Sequence, residues 1–283
     1  MDSKNDITKK ETAREKNEKL LNLQKEWEYK LYMQLSESYA IQRDVKLSRA
    51  FSFGVSQHYT NSDKKIMIVG QEAKGHTFDP LWNLEHWHDW AIEYLEFQLY
   101  KEPSIHGYKF NKNGSPFWTF IRELIKKREP DEYFNYGVCW NNLDKVTRYI
   151  KEDGKEWKEH KLPYDKQNNI ERAILNKKIF DDNSKSLLKK EIEVSNPDIL
   201  IFAVGASNPY YHTLYTSILD IDGDYNTIFN KLKCPYPQKD HECVDITEIA
   251  NLGVPTYYTY HPNFLQQSNT IKKVVDKIKG VIK

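Results

Sequence analysis

Four short stretches of the sequence place polar side chains and glycine directly after an apolar run. The first reads IMIVGQEAKG and carries Gly70, Gln71 and Glu72 at its polar end. The second reads YGVCWNN and ends in Asn141 and Asn142. The third and fourth read ILIFAVGASN and PTYYTYHPNFL. Together they supply a carboxylate, side-chain amides, glycine-rich backbone and a histidine, which is the inventory of a catalytic site.

These polar ends need a scaffold that brings them together, and the apolar runs before them are typical of strands. The predicted strands cover residues 65–69, 136–140, 199–204 and 255–260. The first three are almost continuously apolar, which indicates strands that are covered on both faces. Helical patterns lie between and after the strands, at residues 81–99, 115–128, 169–196, 208–219 and 270–282.

This alternation of strands and helices predicts right-handed β-α-β crossovers. We therefore predict an α/β fold with three α/β/α layers and a central four-stranded parallel sheet. Ligands bind at the carboxyl ends of parallel strands, so the four polar ends should line one site. Taken alone, Glu72 could be a solvated loop acid, His261 a cap of its strand and Asn142 the N-cap of a helix. Their joint placement at four strand ends favours a functional site.

The rest of the chain divides into an N-terminal part and the α/β part. Residues 8–42 contain no Gly or Pro, and Leu20, Leu23 and Trp27 recur at helical spacing. We predict one or two amphipathic helices there. The predicted division is an N-terminal helical extension at residues 1–60, packed on or preceding an α/β domain at residues 61–283. Residues 151–166 are charged and carry Gly and Pro, so they are predicted to form an exposed loop.

The overall composition excludes several classes of protein. A formal net charge of +1 gives no global attraction to nucleic acid or to a membrane. No apolar run approaches the ~20 residues of a membrane span, and the N-terminus lacks the apolar core of a signal peptide. The cysteines Cys139, Cys234 and Cys243 contain no C-x-x-C pair and are too scattered for a disulfide framework. We therefore predict a soluble, cytoplasmic protein.

The order and spacing of the four stretches resemble the uracil-DNA glycosylase superfamily. Its members carry a G-Q-D-P-Y-H or G-E-x-P-G motif after the first strand, then a strand ending in Asn, a W-G-A-like turn and an H-P-S-type loop. The counterparts here are VGQEAKG, VCWNN, FAVGASN and YHPNFL, and the resemblance runs from residue 64 to the C-terminus. Glu72 stands where the family has Asp, Ala73-Lys74 where it has proline, and Asn263 where it has a small residue.

The resemblance implies a DNA base-excision glycosylase, which hydrolyses the N-glycosidic bond of uracil or a related damaged base. Glu72 would orient water and stabilise the positive character of the sugar. His261 would donate to the carbonyl oxygen of the departing base. Asn142 would read the base edge, since an amide both donates and accepts; Asn141 is the alternative if the strand register is shifted by one.

Further residues would complete the base pocket and the DNA interface. Backbone N–H groups near Gly70–Ala73 would assist His261, and Gly70 and Gln71 would bind the base. Phe78 would either stack on the flipped base or belong to the core. In the loop after His-Pro, an apolar residue would wedge into the duplex or instead seat the last helix. The candidates for DNA contact are Lys74, Asn263, Phe264 and Leu265.

Neither a cofactor nor a metal is predicted. His86 and His88 are two residues apart and do not share a helix face, and residues 239–245 are interpreted as a polar surface loop. Three cysteines cannot hold the four-cysteine iron–sulfur cluster found in one branch of the superfamily. The expected partner is single- or double-stranded DNA, bound by a monomer.

Two alternatives stay open. The first is a catalytically silent protein of the same fold that binds nucleic acid or a nucleotide. The departures at Ala73-Lys74 and Asn263 and the modest net charge would allow it. The second is a hydrolase for a small nucleoside-like substrate.

Overall fold

The computed structural model describes residues 11–39, 45–47, 51–72, 84–100, 115–126, 136–146, 148–151, 157–160, 186–219, 227–239 and 242–282. The α-helices in these ranges are α1 Ala13–Tyr39, α2 Gln57–Asn61, α3 Leu84–Tyr100, α4 Pro116–Ile125, α5 Leu187–Ser195, α6 Asn208–Leu219, α7 Thr247–Ala250, α8 Pro262–Gln267 and α9 Ile271–Ile282. The strands are β1 Val45–Leu47, β2 Lys64–Glu72, β3 Tyr136–Asp144, β4 Arg148–Lys151, β5 Trp157–His160, β6 Ile199–Ala203, β7 Cys243–Asp245 and β8 Thr256–Thr259. A π-helical turn covers Thr227–Lys231.

The central sheet has the strand order β3-β2-β6-β8-β7. Its first four strands are the predicted ones, and they pair in parallel. The predicted strand number was wrong, because β7 adds a fifth strand that pairs antiparallel with β8. This strand has three residues and lies in the run interpreted as a surface loop. A short edge strand pairs on one side and needs no run of apolar residues, so the sequence pattern does not reveal it.

Strands β2 and β3 extend beyond their predicted ends. The ladder continues through Gly70 paired with Asn142 and Glu72 paired with Asp144. The candidate residues of these two stretches therefore lie within the strands and alternate between the two faces of the sheet. Asn142 and Asp144 share one face, whereas Asn141 lies on the other.

Helices cover both faces of the sheet, as the nearly continuous apolar strands predict. The face covered by α4 and α9 is called here the α4 face, and Ile66, Ile68 and Val138 pack there. The opposite face, called the α1 face, is covered by α1, α5 and α6, and Met67 and Val69 pack there. Each strand of the core thus supplies alternate residues to two hydrophobic clusters, which gives the expected layers of helix, sheet and helix.

Helix α4 is built to begin at the carboxyl edge of the sheet. Ser115 is its N-cap residue and Pro116 its first residue, where the missing proline N–H has no helical partner to lose. Its buried residues Trp118, Ile121 and Ile125 recur at spacings of three and four, which is the pattern of a helix with one apolar face.

The N-terminal segment shares the core of the α/β part. Leu20 of α1 and Phe53 and Val55 after it belong to the same hydrophobic cluster as Met67 of β2. The side-chain amide of Asn17 also donates to the carbonyl oxygen of Val55 at 2.9 Å and accepts from its N–H at 2.8 Å. Helix α1 is therefore fastened to the segment that leads into β2; the division at residue 60 stays a prediction.

Two further segments differ from or lie beyond the predictions. Residues 157–160 fall in the predicted loop at 151–166 but form β5, in a three-stranded antiparallel sheet of order β1-β4-β5. Of the helix predicted at residues 169–196, the structure has α5, and residues 169–185 lie outside the described residues. Among the helices of the described ranges, none is both long enough and apolar enough to cross a membrane.

Candidate functional site

The ends of β2, β6 and β8 are joined by short contacts at the carboxyl edge of the sheet. The side-chain amide of Gln71 donates from Nε2 to the carbonyl oxygen of Val204 at 2.7 Å. Gly205 follows with a φ of +74°, a conformation that favours glycine. A Cβ atom at Gly205 would lie 3.4 Å from the backbone nitrogen of His261. The structure therefore brings Gln71, Gly205 and His261 together, as the sequence predicts for strand ends.

Gly70 and Asn142 approach each other closely on the α4 face. A Cβ atom on Gly70 would lie 2.9 Å from Oδ1 of Asn142 and 3.3 Å from Cε2 of Phe117. Any larger residue at position 70 would therefore have to displace the amide or the ring. Glycine here leaves the Asn142 amide beside bare backbone and an aromatic side chain.

The Asn142 amide has a donor without a partner. The residue is 1% exposed, and its Oδ1 accepts from Nε1 of Trp140 at 3.2 Å. Its Nδ2 has no hydrogen-bond partner within the described part of the chain. Leaving a buried donor unsatisfied costs about 1–3 kcal/mol, so native proteins rarely do so without a reason. A ligand that accepts a hydrogen bond at this position would supply one.

Asn141 faces the opposite side of the sheet and is fully engaged there. Its Oδ1 accepts from Nζ of Lys145 and from the N–H of Asn142, and its Nδ2 donates to Glu191 at 2.9 Å. The structure therefore separates Asn141 from the group around Asn142. The alternative in which Asn141 reads a base has no support from this arrangement.

Asn141 belongs to a buried polar network on the α1 face. Lys145 is 5% exposed and Glu191 is 0% exposed, and their charged groups are 2.8 Å apart. Glu191 also accepts from the amide of Gln24 at 3.0 Å. Burial lowers the pKa of the Lys145 ammonium, and Glu191 opposes this shift. The network joins α1 and α5 to the end of β3, directly behind Asn142.

A histidine of α3 lies at the end of this network. Ser52 donates to Oε1 of Gln24, and its Oγ is 3.2 Å from Nδ1 of His88. Burial lowers the pKa of His88 to about 4, against weaker opposing effects of Asp89 and the Phe53 backbone. His88 is one of the two histidines that the sequence left as doubtful metal ligands. Among the described residues, no group of three or more His, Cys, Asp or Glu side chains could hold a metal ion.

The buried His88 predicts a loss of stability in acid. The unfolded chain binds a proton at this position below its ordinary pKa of 6.5, whereas the folded chain does so only below about 4. The unfolded state therefore binds more protons at this position between these values, and we expect His88 to contribute a fall of about 3 kcal/mol in the free energy of unfolding as pH drops from 6.5 to 4. Urea unfolding across this range measures the slope. His88→Gln should reduce this slope by up to the contribution of one proton. Equal slopes in the variant and the wild-type protein would contradict the assignment of this effect to His88.

His261 is held in one tautomer by the helix that follows it. It is the N-cap residue of α8, and its Nδ1 accepts from the backbone N–H of Asn263 at 3.2 Å. In the neutral ring this places the proton on Nε2, which makes that nitrogen a donor. The ring lies nearly parallel to Phe117, at 23° with centroids 6.4 Å apart. The neutral ring can therefore donate a hydrogen bond from Nε2.

Of the two candidates for a wedge, one is exposed and one is core. Phe264 is 43% exposed and packs against Tyr260 with ring centroids 4.4 Å apart. Leu265 is 0% exposed and belongs to the hydrophobic cluster of the α4 face. Leu265 therefore seats α8 on the core, and Phe264 presents an apolar surface next to His261.

Three candidate residues are described in part or not at all. Glu72 ends β2 and pairs with Asp144, but its side chain lies outside the described part of the structure. Lys74 and Phe78 lie outside the described residues altogether.

The sequence analysis missed three residues of this region. Trp140 donates to the Asn142 amide, and Phe117 lies next to Gly70. Asp144 is a buried carboxylic acid in register with Glu72. Asp144 had a signal, since the two-residue period of WNNLD places it on the same face as Asn142. Phe117 had none, because only the packing of α4 brings it to this edge.

The fold and this edge define an α/β protein with a candidate ligand site at the carboxyl ends of its parallel strands. No protein-family model matches the sequence, and no curated protein is significantly similar to it. Among solved structures, the chain is similar to the crystal structure of wild-type Pedobacter heparinus SMUG2. The sequence identity is 9%, the TM-score is 0.45, and the match covers 85% of this chain and 88% of that chain. At this level the likeness assigns neither a family nor an activity.

Proposed function

We propose that this protein is a DNA base-excision glycosylase that hydrolyses the N-glycosidic bond of uracil or a related damaged base. The observation that carries the proposal is the buried Asn142 amide. Its Nδ2 has no partner among the described residues, and its Oδ1 and the Phe117 ring both lie next to the bare backbone of Gly70. A flipped base presents both a hydrogen-bonding edge and an aromatic face, and this site offers a partner for each.

The proposed reaction expels the base as an anion and leaves positive character on the sugar. His261 donates from Nε2 to the carbonyl oxygen of the base and so stabilises the developing negative charge. Glu72 orients the attacking water and stabilises the sugar cation. Asn142 holds the base edge, and backbone N–H groups at Gly70 and Gln71 assist.

The DNA interface is proposed to involve α8 and the residues that follow β2 in the sequence. Phe264 is the proposed wedge, because it is exposed beside His261, and Lys74 and Asn263 contact the backbone of the DNA. Lysines of α9 are weaker candidates for phosphate contact. Lys273 is paired with Glu242 at 2.9 Å, and Lys277 donates to the carbonyl oxygen of Cys243 at 2.6 Å. The protein would act as a cytoplasmic monomer on single- or double-stranded DNA without a cofactor.

The test is cleavage of uracil-containing DNA by the purified protein. Single- and double-stranded oligonucleotides are incubated with the protein, and abasic sites are then cleaved with alkali. We expect Glu72→Gln and Asn142→Ala each to lower the rate by about 10²-fold or more. Asn22→Ala is the matched control, since Asn22 is an exposed amide on α1.

Each outcome has a distinct meaning. If the wild-type protein cleaves no deaminated base, the proposed glycosylase activity is excluded. Retained binding to the same DNA, measured by gel shift, would then support the catalytically silent alternative. If both substitutions leave the rate of cleavage unchanged, the activity stands, but Glu72 and Asn142 are not part of the catalytic site.

A further inference from the structure

The indole of Trp140 controls which way the Asn142 amide faces. Trp140 and Asn142 are two residues apart in β3, so their side chains lie on the same face of the sheet. Nε1 of Trp140 donates to Oδ1 of Asn142 at 3.2 Å. An indole N–H can only donate, so the atom opposite it must be the oxygen of the amide and not its nitrogen.

The Trp140 ring is itself held in place by aromatic neighbours. Its centroid lies 4.9 Å from that of Phe51 and 5.2 Å from that of Trp118, which it meets edge to face. Tyr94 and Phe117 lie slightly farther away, with centroids 6.2 and 6.1 Å from that of Trp140. With rings on several sides, the indole cannot turn its N–H away from Asn142 without repacking the cluster.

A fixed amide has a fixed preference for its ligand. With Oδ1 bound to Trp140, Nδ2 is the donor of the amide that remains for a ligand, since no described group accepts from it. A carbonyl oxygen on the ligand completes the pattern, whereas an amino group would place two donors against each other. Turning the amide by 180° to suit an amino group would break the Trp140 bond and oppose its N–H to the amide NH₂.

We propose that Trp140 is a positioning residue that locks the Asn142 amide and thereby sets the preference of the site for a keto over an amino pyrimidine. This inference rests on the proposed function, since it assumes that the ligand is a base. Trp140 does not touch the base in this proposal; it acts through Asn142. Its removal should therefore change the discrimination between bases more than it changes the affinity for the preferred one.

The test compares binding of two bases with and without the indole N–H. Oligonucleotides carrying 2′-fluoro-2′-deoxyuridine or 2′-fluoro-2′-deoxycytidine resist cleavage, so their dissociation constants measure discrimination without catalysis. We expect the wild-type protein to prefer the uridine oligonucleotide. Discrimination is the dissociation constant of the cytidine oligonucleotide divided by that of the uridine oligonucleotide. Trp140→Phe should lower this ratio by about 10-fold, because the amide becomes free to turn. Trp118→Phe is the matched control from the same aromatic cluster and should keep the wild-type ratio.

A second variant covers the case in which Trp140→Phe does not fold. Incorporation of benzothienylalanine at position 140 keeps the shape of the ring and replaces only the N–H with sulfur, and it should also lower the ratio. A ratio that this variant leaves unchanged would overturn the proposal. If the wild-type protein discriminates between the two fluorinated oligonucleotides but does not cleave ordinary uracil-containing DNA, this inference stands and the proposed enzyme activity is overturned.

Discussion

Replacing Glu191 with alanine is expected to lower the free energy of unfolding by about 3–5 kcal/mol. Glu191 is fully buried and is the carboxylate partner of Lys145, which is 5% exposed. Without Glu191, the folded protein must either bury the Lys145 ammonium with no countercharge or keep Lys145 in its neutral form. The amides of Gln24 and Asn141 would lose an acceptor at the same time. Loss of one charged partner is therefore more damaging than loss of the whole pair.

Urea unfolding at neutral pH measures this effect, and two variants serve as controls. Glu193→Ala removes an exposed carboxylate from the same helix and should change stability by no more than about 0.5 kcal/mol. The double replacement Glu191→Leu with Lys145→Met removes both charges and should recover much of the loss, since apolar side chains of similar size can replace a buried ion pair. A Glu191→Ala protein with wild-type stability would mean that water reaches Lys145.

The four parallel strands of the sheet could be predicted because their residues are buried on both faces. Ile66 and Ile68 pack on the α4 face and Met67 and Val69 on the α1 face, so the run carries no polar interruption. The fifth strand lacked this signal, since Asp245 is exposed and β7 pairs with β8 alone among the described strands. Strand β5 has the sequence WKEH and pairs with β4 through backbone hydrogen bonds, which leave no pattern in the side chains.

The site could be predicted only as far as strand ends determine it. Topology brings the carboxyl ends of parallel strands to one edge of the sheet. The placement of Gly70, Asn142 and His261 at this edge could therefore be predicted from the sequence. The environment of each side chain did not follow. Whether Asn141 or Asn142 faces the α4 side depends on the register of β3 beyond Trp140, and a shift by one residue exchanges them. The pair of Lys145 and Glu191 joins residues 46 positions apart, and only the packing of α5 on the sheet brings them together.

Replacing His261 with asparagine is expected to lower the rate of uracil excision by about 10²–10³-fold while leaving the protein folded. The proposed reaction uses the Nε2 proton of His261 to stabilise the departing base. The same ring also caps α8 through Nδ1, which accepts from the N–H of Asn263. Asparagine is a good N-cap residue, so His261→Asn keeps an acceptor for that N–H and removes the donor at the far side of the ring.

The cap and the donor can therefore be tested separately. His261→Ala removes both, and it should lower the free energy of unfolding by about 0.5–2 kcal/mol in addition to lowering the rate. His261→Asn should match the wild-type protein in thermal unfolding and match His261→Ala in single-turnover cleavage of uracil-containing DNA. Full activity in the asparagine variant would mean that His261 serves only as a helix cap. Because α8 also carries the exposed Phe264, a variant that keeps the cap keeps the proposed wedge in place, so a lost rate in His261→Asn reports on the donor alone.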